Sequence, residues 1–410
     1  MRISAATERQ LAEAGQRAAR ALAAADADGV CAEAVVDLAA IAHNTALLAE
    51  RSAPAALMAV VKADGFGHGA LPVARAALAH GADWLGVTSV TEAMQLRRAG
   101  VDAPMLSWMH LPGEDFTAAL LAGVDLAVPS QAHLAGVAAC AERAGVVAAV
   151  HLKVDTGLHR GGSSPEEWPQ LVAAARAFEQ RGLLRVRGIW SHLAQADRPG
   201  HPTTAAQVRQ FDAAVEAARR AGLRPELLHL ANSGAALDAP ATRYNLVRAG
   251  VGLYGVEPVI GRRFGLRPAM TLQARAIMAR RVPAGEGVSY GHEYTTGQDT
   301  ALLLVPLGFA DGVPRAAGGR ASMWVAGRRR PVAGRIAMDQ CVLDAGDVPV
   351  TIGERVIVFG SGDRGEPTAA EWAAWAGTNA HEVLTGIGAR VPRRYLPAGA
   401  GPIEEDSDCA

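Results

Sequence analysis

The chain lacks what would tie it to a membrane, a nucleic acid or an oxidising compartment. Its 410 residues hold only four cysteines, Cys31, Cys140, Cys341 and Cys409, scattered without metal-ligand spacing. So few cannot frame a chain of this length with disulfides, and a reducing, cytoplasmic setting is expected. His110, His133 and His201 likewise stand too far apart for a metal motif and read as surface or pocket-rim groups, so no metal is expected. Neither sign of charge is in excess, with 40 Lys+Arg against 41 Asp+Glu, which argues against a nucleic-acid partner. The basic run Arg328-Arg329-Arg330 reads as a solvated hairpin tip. The longest charge-free stretch, Leu126–Ala141, contains Pro129, Ser130, Gln131 and His133 and falls short of the roughly 20 apolar residues of a membrane helix. Residues 1–30 mix alanine with Arg2, Glu8, Arg9, Glu13 and Arg17 and have no apolar h-region. They are expected to form a poorly ordered extension rather than a secretory signal.

What is present is a long, half-hydrophobic chain able to bury a large core. Eight short apolar runs, each bounded by Gly, Pro, Asn, Asp or Ser, alternate with helix-like stretches such as Thr91–Arg98 and Thr203–Ala221. The runs are Leu57–Val61, Trp84–Val87, Pro104–Ser107, Leu126–Val128, Ala148–Val154, Val186–Trp190, Leu227–Leu230 and Leu246–Arg248. Alternation of this kind fits an open doubly wound sheet as well as a barrel; eight strands in some 250 residues favour the (β/α)8 barrel. After about residue 268 the texture turns to β-rich segments, Met270–Val282, Thr300–Leu307, Ala321–Val325, Arg330–Asp344 and Glu354–Phe359, with one helix near Ala369–Ala376. The expected organisation is an extension (1–30), an α/β barrel (31–268), a mainly β C-terminal domain (269–396) and a disordered acidic tail (397–410).

Barrels carry their chemistry at the C-terminal ends of the strands. Here those ends hold Lys62, Lys153 with Asp155, His192, Asn232 with Ser233, and Arg248. A lysine closing an apolar strand either snorkels outward or, if desolvated, becomes a nucleophile suited to a Schiff base. Asn232-Ser233-Gly234 is a simple turn or, with Arg248-Ala249-Gly250-Val251-Gly252, a phosphate cradle after the last two strands. An imine-forming lysine and a phosphate cradle across one mouth suggest pyridoxal 5′-phosphate.

Val60-Val61-Lys62-Ala63-Asp64-Gly65-Phe66-Gly67-His68-Gly69 closely resembles the cofactor-lysine signature of alanine racemases. Further segments resemble the family in family order: His151–Arg160, Ser191–Ala194, Asn232-Ser233, Val247–Gly250, Gly287–Gly291, Ala310–Gly312 and Gly334–Gln340. The likeness spans about Ala34 to Arg394.

The resemblance implies a pyridoxal-phosphate racemase that interconverts L- and D-alanine with two bases, Lys62 and Tyr290, the tyrosine reaching the substrate from a second subunit of a homodimer. It implies that Arg160 and His192 supply positive charge that acidifies Tyr290. Arg248 would face the pyridine nitrogen, and Ser233, Asn232, Gly250, Val251 and His381 would hold the cofactor with His192. Arg160 and the backbone of Met338 would take the substrate carboxylate, and Lys153 would be carbamylated. Three positions depart from the family pattern, where tyrosines give way to Phe66, Phe309 and His381. A serine or broad-specificity racemase, a decarboxylase of the same fold and a non-catalytic cofactor-binding barrel remain as alternatives. Arg248 and the Tyr290 segment speak against the decarboxylase, and the C-terminal domain against the bare barrel.

Overall fold

The computed structural model describes residues 30–397. The extension and tail expected at 1–30 and 397–410 lie outside the described residues but for 30 and 397. Within them the chain divides into two compact units, one running Asp37–Pro268 and the other joining the segment up to Val36 to Ala269–Leu396.

Strands are numbered in chain order, and β1 is Ala32–Asp37. The first unit is a barrel of β2 (Ala56–Val60), β3 (Trp84–Val87), β4 (Met105–Ser107), β5 (Asp125–Val128), β6 (Ala148–Lys153), β7 (Leu184–Trp190), β8 (Leu227–His229) and β9 (Leu246–Ala249). All seven ladders are parallel, in the order β8-β7-β6-β5-β4-β3-β2-β9. The ring closes between its ends through the Arg248 N–H, which donates to the Ala231 carbonyl at 3.1 Å. All eight expected strands are present, and it is closure that separates this unit from the open sheet.

Helices start where a short polar side chain can take the orphan N–H groups. Asp37 Oδ1 accepts from Ala39 and Ala40 at 2.8 and 3.1 Å to open Leu38–Ser52. Ser89 caps Val90–Arg98 and Ser130 caps Gln131–Ala144. Met58, Trp84, Leu106, Ala127, Trp190 and Leu246 form a cluster of buried residues inside the barrel. Met58, Leu106 and Leu246 each contribute about 1.5–3 kcal/mol when removed from water. His201 caps Pro202–Arg220, and the His110 ring is buried rather than at a rim.

The second unit differs from expectation in detail. A six-stranded sheet runs β16 (Arg328–Pro331), β15 (Ser322–Val325), β18 (Arg355–Phe359), β10 (Met270–Arg275), β1, β19 (Arg393–Leu396). β1, expected in the barrel, is an inner strand here, because Ala34, Val35 and Val36 are buried against β10 in antiparallel register. Met270–Val282 is two strands rather than one: β10 joins this sheet, while β11 (Met278–Val282) pairs β14 (Thr300–Val305) in a second sheet with β17 (Cys341–Gly346). Arg330–Asp344 likewise breaks into β16 and β17, separated by residues 332–340. The arginine run is no free tip: the turn is Ala326-Gly327, and Arg329 is held by Glu371 and the carbonyls of Gly365 and Glu366. The expected helix Ala369–Ala376 is capped by Thr368 with Glu371, and a further one, Ala380–Thr385, follows.

Candidate active site

Lys62 follows β2 at the C-terminal mouth of the barrel. The backbone beyond it makes a left-handed turn: Ala63, Asp64 and Gly65 have φ of 52°, 50° and 61°, and Phe66 continues at 52°. Each non-glycine residue so placed costs roughly 1–2 kcal/mol. The turn persists because its polar groups are taken up. Gly65 and Gly67 N–H donate to Val61 and Ala63 carbonyls at 2.8 and 3.0 Å. Ala63 N–H donates to Glu92 Oε1 and Ala70 N–H to Asp64 Oδ1, both at 2.8 Å. Burial, with Arg160 nearby, lowers the Lys62 ammonium pKa, which favours the nucleophilic free amine over a snorkelling cation.

Lys153 ends β6 with its Nζ 4.6 Å from the Trp190 ring centroid. Burial, then Arg248 and Arg160, push its amine down to about 8. Asp155 Oδ1 accepts the N–H groups of Gly157, Leu158 and His159 at 2.9–3.2 Å and so shapes the loop that carries Arg160, which is exposed. Gln207, which the sequence did not single out, ties this end to the next. Its Nε2 donates to Thr156 Oγ1 at 3.1 Å and to the His192 carbonyl at 3.0 Å.

Arg248 is buried at the end of β9, and its guanidinium only donates. Nη1 reaches the His229 carbonyl at 2.9 Å and His229 Nδ1 at 3.2 Å; Nη2 reaches the Ser191 and Leu230 carbonyls at 2.8 and 3.1 Å and His192 Nδ1 at 3.3 Å. Burial lowers Arg248 to about 9, still protonated at neutral pH. The positive charge expected on His192 meets opposition from its surroundings. Burial and the cations Arg248, Arg160, Lys153 and Lys62 push it down to about 3, which favours the neutral ring, whose Nδ1 lies 3.3 Å from Arg248 Nη2.

Asn232 caps Ser233–Asp238, accepting from Ala235 N–H at 3.2 Å. Ser233 Oγ accepts from Gly250 N–H at 2.8 Å and Gly252 N–H at 3.3 Å, so hydroxyl and amides gather in one loop pair with Val251 between them. A Cβ on Gly250 would lie 3.2 Å from Phe66 Cζ, so the glycine keeps this corner open.

The remaining expected site residues belong to the β unit. Tyr290 follows β12 (Gly287–Val288), which pairs β13 (Tyr294–Thr295), in a turn where Ser289 (φ 63°, ψ −172°), Gly291 (φ 76°) and His292 (φ 48°) all have positive φ, which costs the two non-glycine residues. Ser289 Oγ donates to the Arg335 carbonyl at 2.7 Å and holds the turn. Such strain persists where the surroundings over-determine it, often at functional sites. Tyr290 is 70% exposed and Met338 56%, and Tyr290, Leu304, Ala337, Gln340 and Val342 help line a groove of about 360 Å³. Phe309 and Ala310 N–H donate to the Ala337 and Met338 carbonyls at 3.0 and 2.9 Å. Asp311 serves as a clamp, binding Gly308 N–H and Arg390. His381 is exposed in the first turn of Ala380–Thr385, apart from the barrel residues in fold unit.

The barrel mouth thus gathers a desolvated lysine, a donor-only guanidinium and a hydroxyl–amide cradle. The alanine racemase N-terminal domain family matches residues 36–258, and the alanine racemase C-terminal domain family matches residues 269–395. The chain belongs to the alanine racemase family. The alanine racemase of Thermobifida fusca is 53% identical over 368 residues, covering 90% of this chain and 98% of its own length. The solved alanine racemase from Streptomyces coelicolor A3(2) is 51% identical with a TM-score of 0.89, covering 90% of this chain and all of that one. The structure from D-cycloserine-producing Streptomyces lavendulae is 46% identical with a TM-score of 0.88, covering 90% and 97%. The chain is a racemase acting on alanine, and the fold expected from the sequence is the fold of this family. Among the described residues no helix is long and apolar enough to cross a membrane.

Proposed function

We propose that this racemase works with pyridoxal 5′-phosphate, held at the barrel mouth, and with two bases on opposite faces of the substrate. The observation that carries the reading is the convergence of Lys62, Arg248 and the Ser233 cradle at one strand-end surface. These residues fit the cofactor. Lys62 offers an amine of lowered basicity for covalent attachment, Ser233 with the Gly250 and Val251 backbone and Asn232 would hold the phosphate, and Arg248 would donate to the ring nitrogen. His192 would support the ring, and His381 would stand for a family tyrosine at the phosphate edge. The cofactor, when bound, supplies the electron sink that makes the substrate Cα–H acidic.

The protein's own groups then move the proton. Lys62 Nζ takes or returns it on one face, and the Tyr290 hydroxyl does so on the other, since one base would have to cross the plane of the Cα centre. Arg160 and the Met338 backbone N–H anchor the substrate carboxylate. Lys153, its amine lowered to about 8, reacts with carbon dioxide to give a carbamate, which turns a cation repelling Arg160 into an anion that fixes it.

The exposed, pre-shaped turn of Tyr290 supports a homodimer in which each mouth receives the partner's tyrosine. The product serves cell-wall peptidoglycan in the cytoplasm, in keeping with Cys31, Cys140 and Cys341, which are free. Subunit exchange tests the shared site. Mixing Lys62→Ala with Tyr290→Phe, each inactive alone, restores part of the activity; mixtures that stay dead after proven exchange refute it.

A further inference from the structure

The barrel interior holds a row of polar side chains that this reading of the mouth leaves unused. Asp125 opens β5, His151 lies in β6 and His229 ends β8, all buried. His151 Nε2 is 3.0 Å from Asp125 Oδ2, and His151 Nδ1 is 2.8 Å from His229 Nε2. His229 Nδ1 in turn lies 3.2 Å from Arg248 Nη1. At the far end Arg187 Nη1 is 3.3 Å from both Asp125 oxygens, its guanidinium carbon 4.4 Å from the Trp84 ring centroid. The fold makes room for this row. A Cβ on Gly188 would lie 2.4 Å from His151 Nδ1, and the β6–β7 register shifts between Val150 and His151.

The two ends have fixed roles. A carboxylate accepts and a guanidinium donates. Two neutral imidazoles between them satisfy all three contacts in one arrangement only: each Nε2–H points toward Asp125, and each bare Nδ1 points toward Arg248. His229 is held neutral by burial and by its neighbours His151 and Arg248. Turning either ring's proton around sets two N–H groups, or two lone pairs, against each other in a dry interior, where an unmade hydrogen bond is expensive.

We infer that Asp125 is a positioning residue for racemisation: through His151 and His229 it holds Arg248 in the orientation that donates at the mouth. Arg248 then takes His192 Nδ1 as acceptor and leaves its Nε2–H to face outward. The inference rests on the reading that Arg248 faces the cofactor ring. It explains why charged and imidazole groups occupy barrel positions that a packed apolar layer would otherwise fill.

The holoenzyme with ring-15N histidine tests it, because protonated and bare ring nitrogens give distinct 15N signals and the His151–His229 pair is recognisable by coupling across its N–H···N bond. The expected pattern is Nε2–H with bare Nδ1 on both rings. In Asp125→Asn the donor-only Arg187 keeps the amide oxygen and turns the amide N–H toward His151, so the pair redistributes toward Nδ1–H. Turnover should fall about 10-fold with KM little changed, the low end of what losing an outer hydrogen-bond partner costs at a metal site. Asp125→Glu restores part of both. A proton on His229 Nδ1 in the unaltered enzyme overturns the inference even if Asp125→Asn fails to fold. So does Asp125→Asn with an unaltered ring pattern and turnover. Arg248→Lys separates the two readings: wild-type turnover there defeats the role of Arg248 itself, whereas a crippled Arg248→Lys beside an unaffected Asp125→Asn defeats the relay alone.

Discussion

The two fold units prepare their site residues in opposite ways. In the barrel, Arg248 is buried and donates to three carbonyls and two imidazoles, and Lys62 stands on a turn whose strained backbone is held by bonds from the Ala63, Gly65 and Gly67 N–H groups. In the β unit, Tyr290 and Met338 are exposed, and only the backbone beneath them is fixed. The barrel half completes its own preorganisation inside one fold unit. The tyrosine half is a fixed turn that carries an exposed side chain. Catalysis by positioned groups needs both, since a base contributes only when held in reach of its proton.

The contrast can be broken at several strengths. Lys62→Ala removes covalent anchor and base together and is expected to cost more than about 10⁴-fold in turnover. Borohydride should then fix no cofactor to the chain. Tyr290→Phe is expected to cost on the order of 10²–10⁴-fold in turnover while cofactor absorbance stays intact, because nothing in the barrel depends on it. A Tyr290→Phe enzyme that loses cofactor would erase the distinction between the halves. Lys153 offers a pH test. Carbamate forms on the neutral amine, so its occupancy rises as pH passes upward through about 8 and fades below it. Activity in decarbonated buffer should drop and return with bicarbonate, more completely on the alkaline side.

Smaller effects sharpen the phosphate corner. Phe66 stacks on Tyr254 with ring centroids 4.6 Å apart, and its Cζ faces Gly250. A hydroxyl added in Phe66→Tyr points into the cradle, and one more bond to a charged phosphate is worth about 1.5–3 kcal/mol. Slower cofactor loss on dialysis is the expected outcome; no change would mean that the cradle is already saturated. Asn232→Ala removes a helix cap and should lower stability by about 1 kcal/mol in urea unfolding, with faster cofactor loss on dialysis.

The barrel was legible because each strand is a short apolar run between turn residues, and its strand-end polar groups could be read off directly. The β unit was less so. Met270–Val282 looks like one strand, since periodicity carries no mark of the point where a chain leaves one sheet for another. β1 pairs with residues more than 230 positions away, a distance over which local pattern is silent. The same limit hid Asp125, His151 and His229, whose meeting depends on register across several strands. His192 was placed at the mouth, but the sequence shows which cations are present and not how closely they crowd its ring.

The most direct test of two bases on two faces is Cα–H exchange in deuterium oxide, followed by NMR with chiral analysis of alanine. The account predicts that L-alanine gains deuterium as it converts to the D-form in the unaltered enzyme. It predicts exchange without inversion from one enantiomer only when Tyr290 is replaced by Phe. Full inversion by Tyr290→Phe would contradict it.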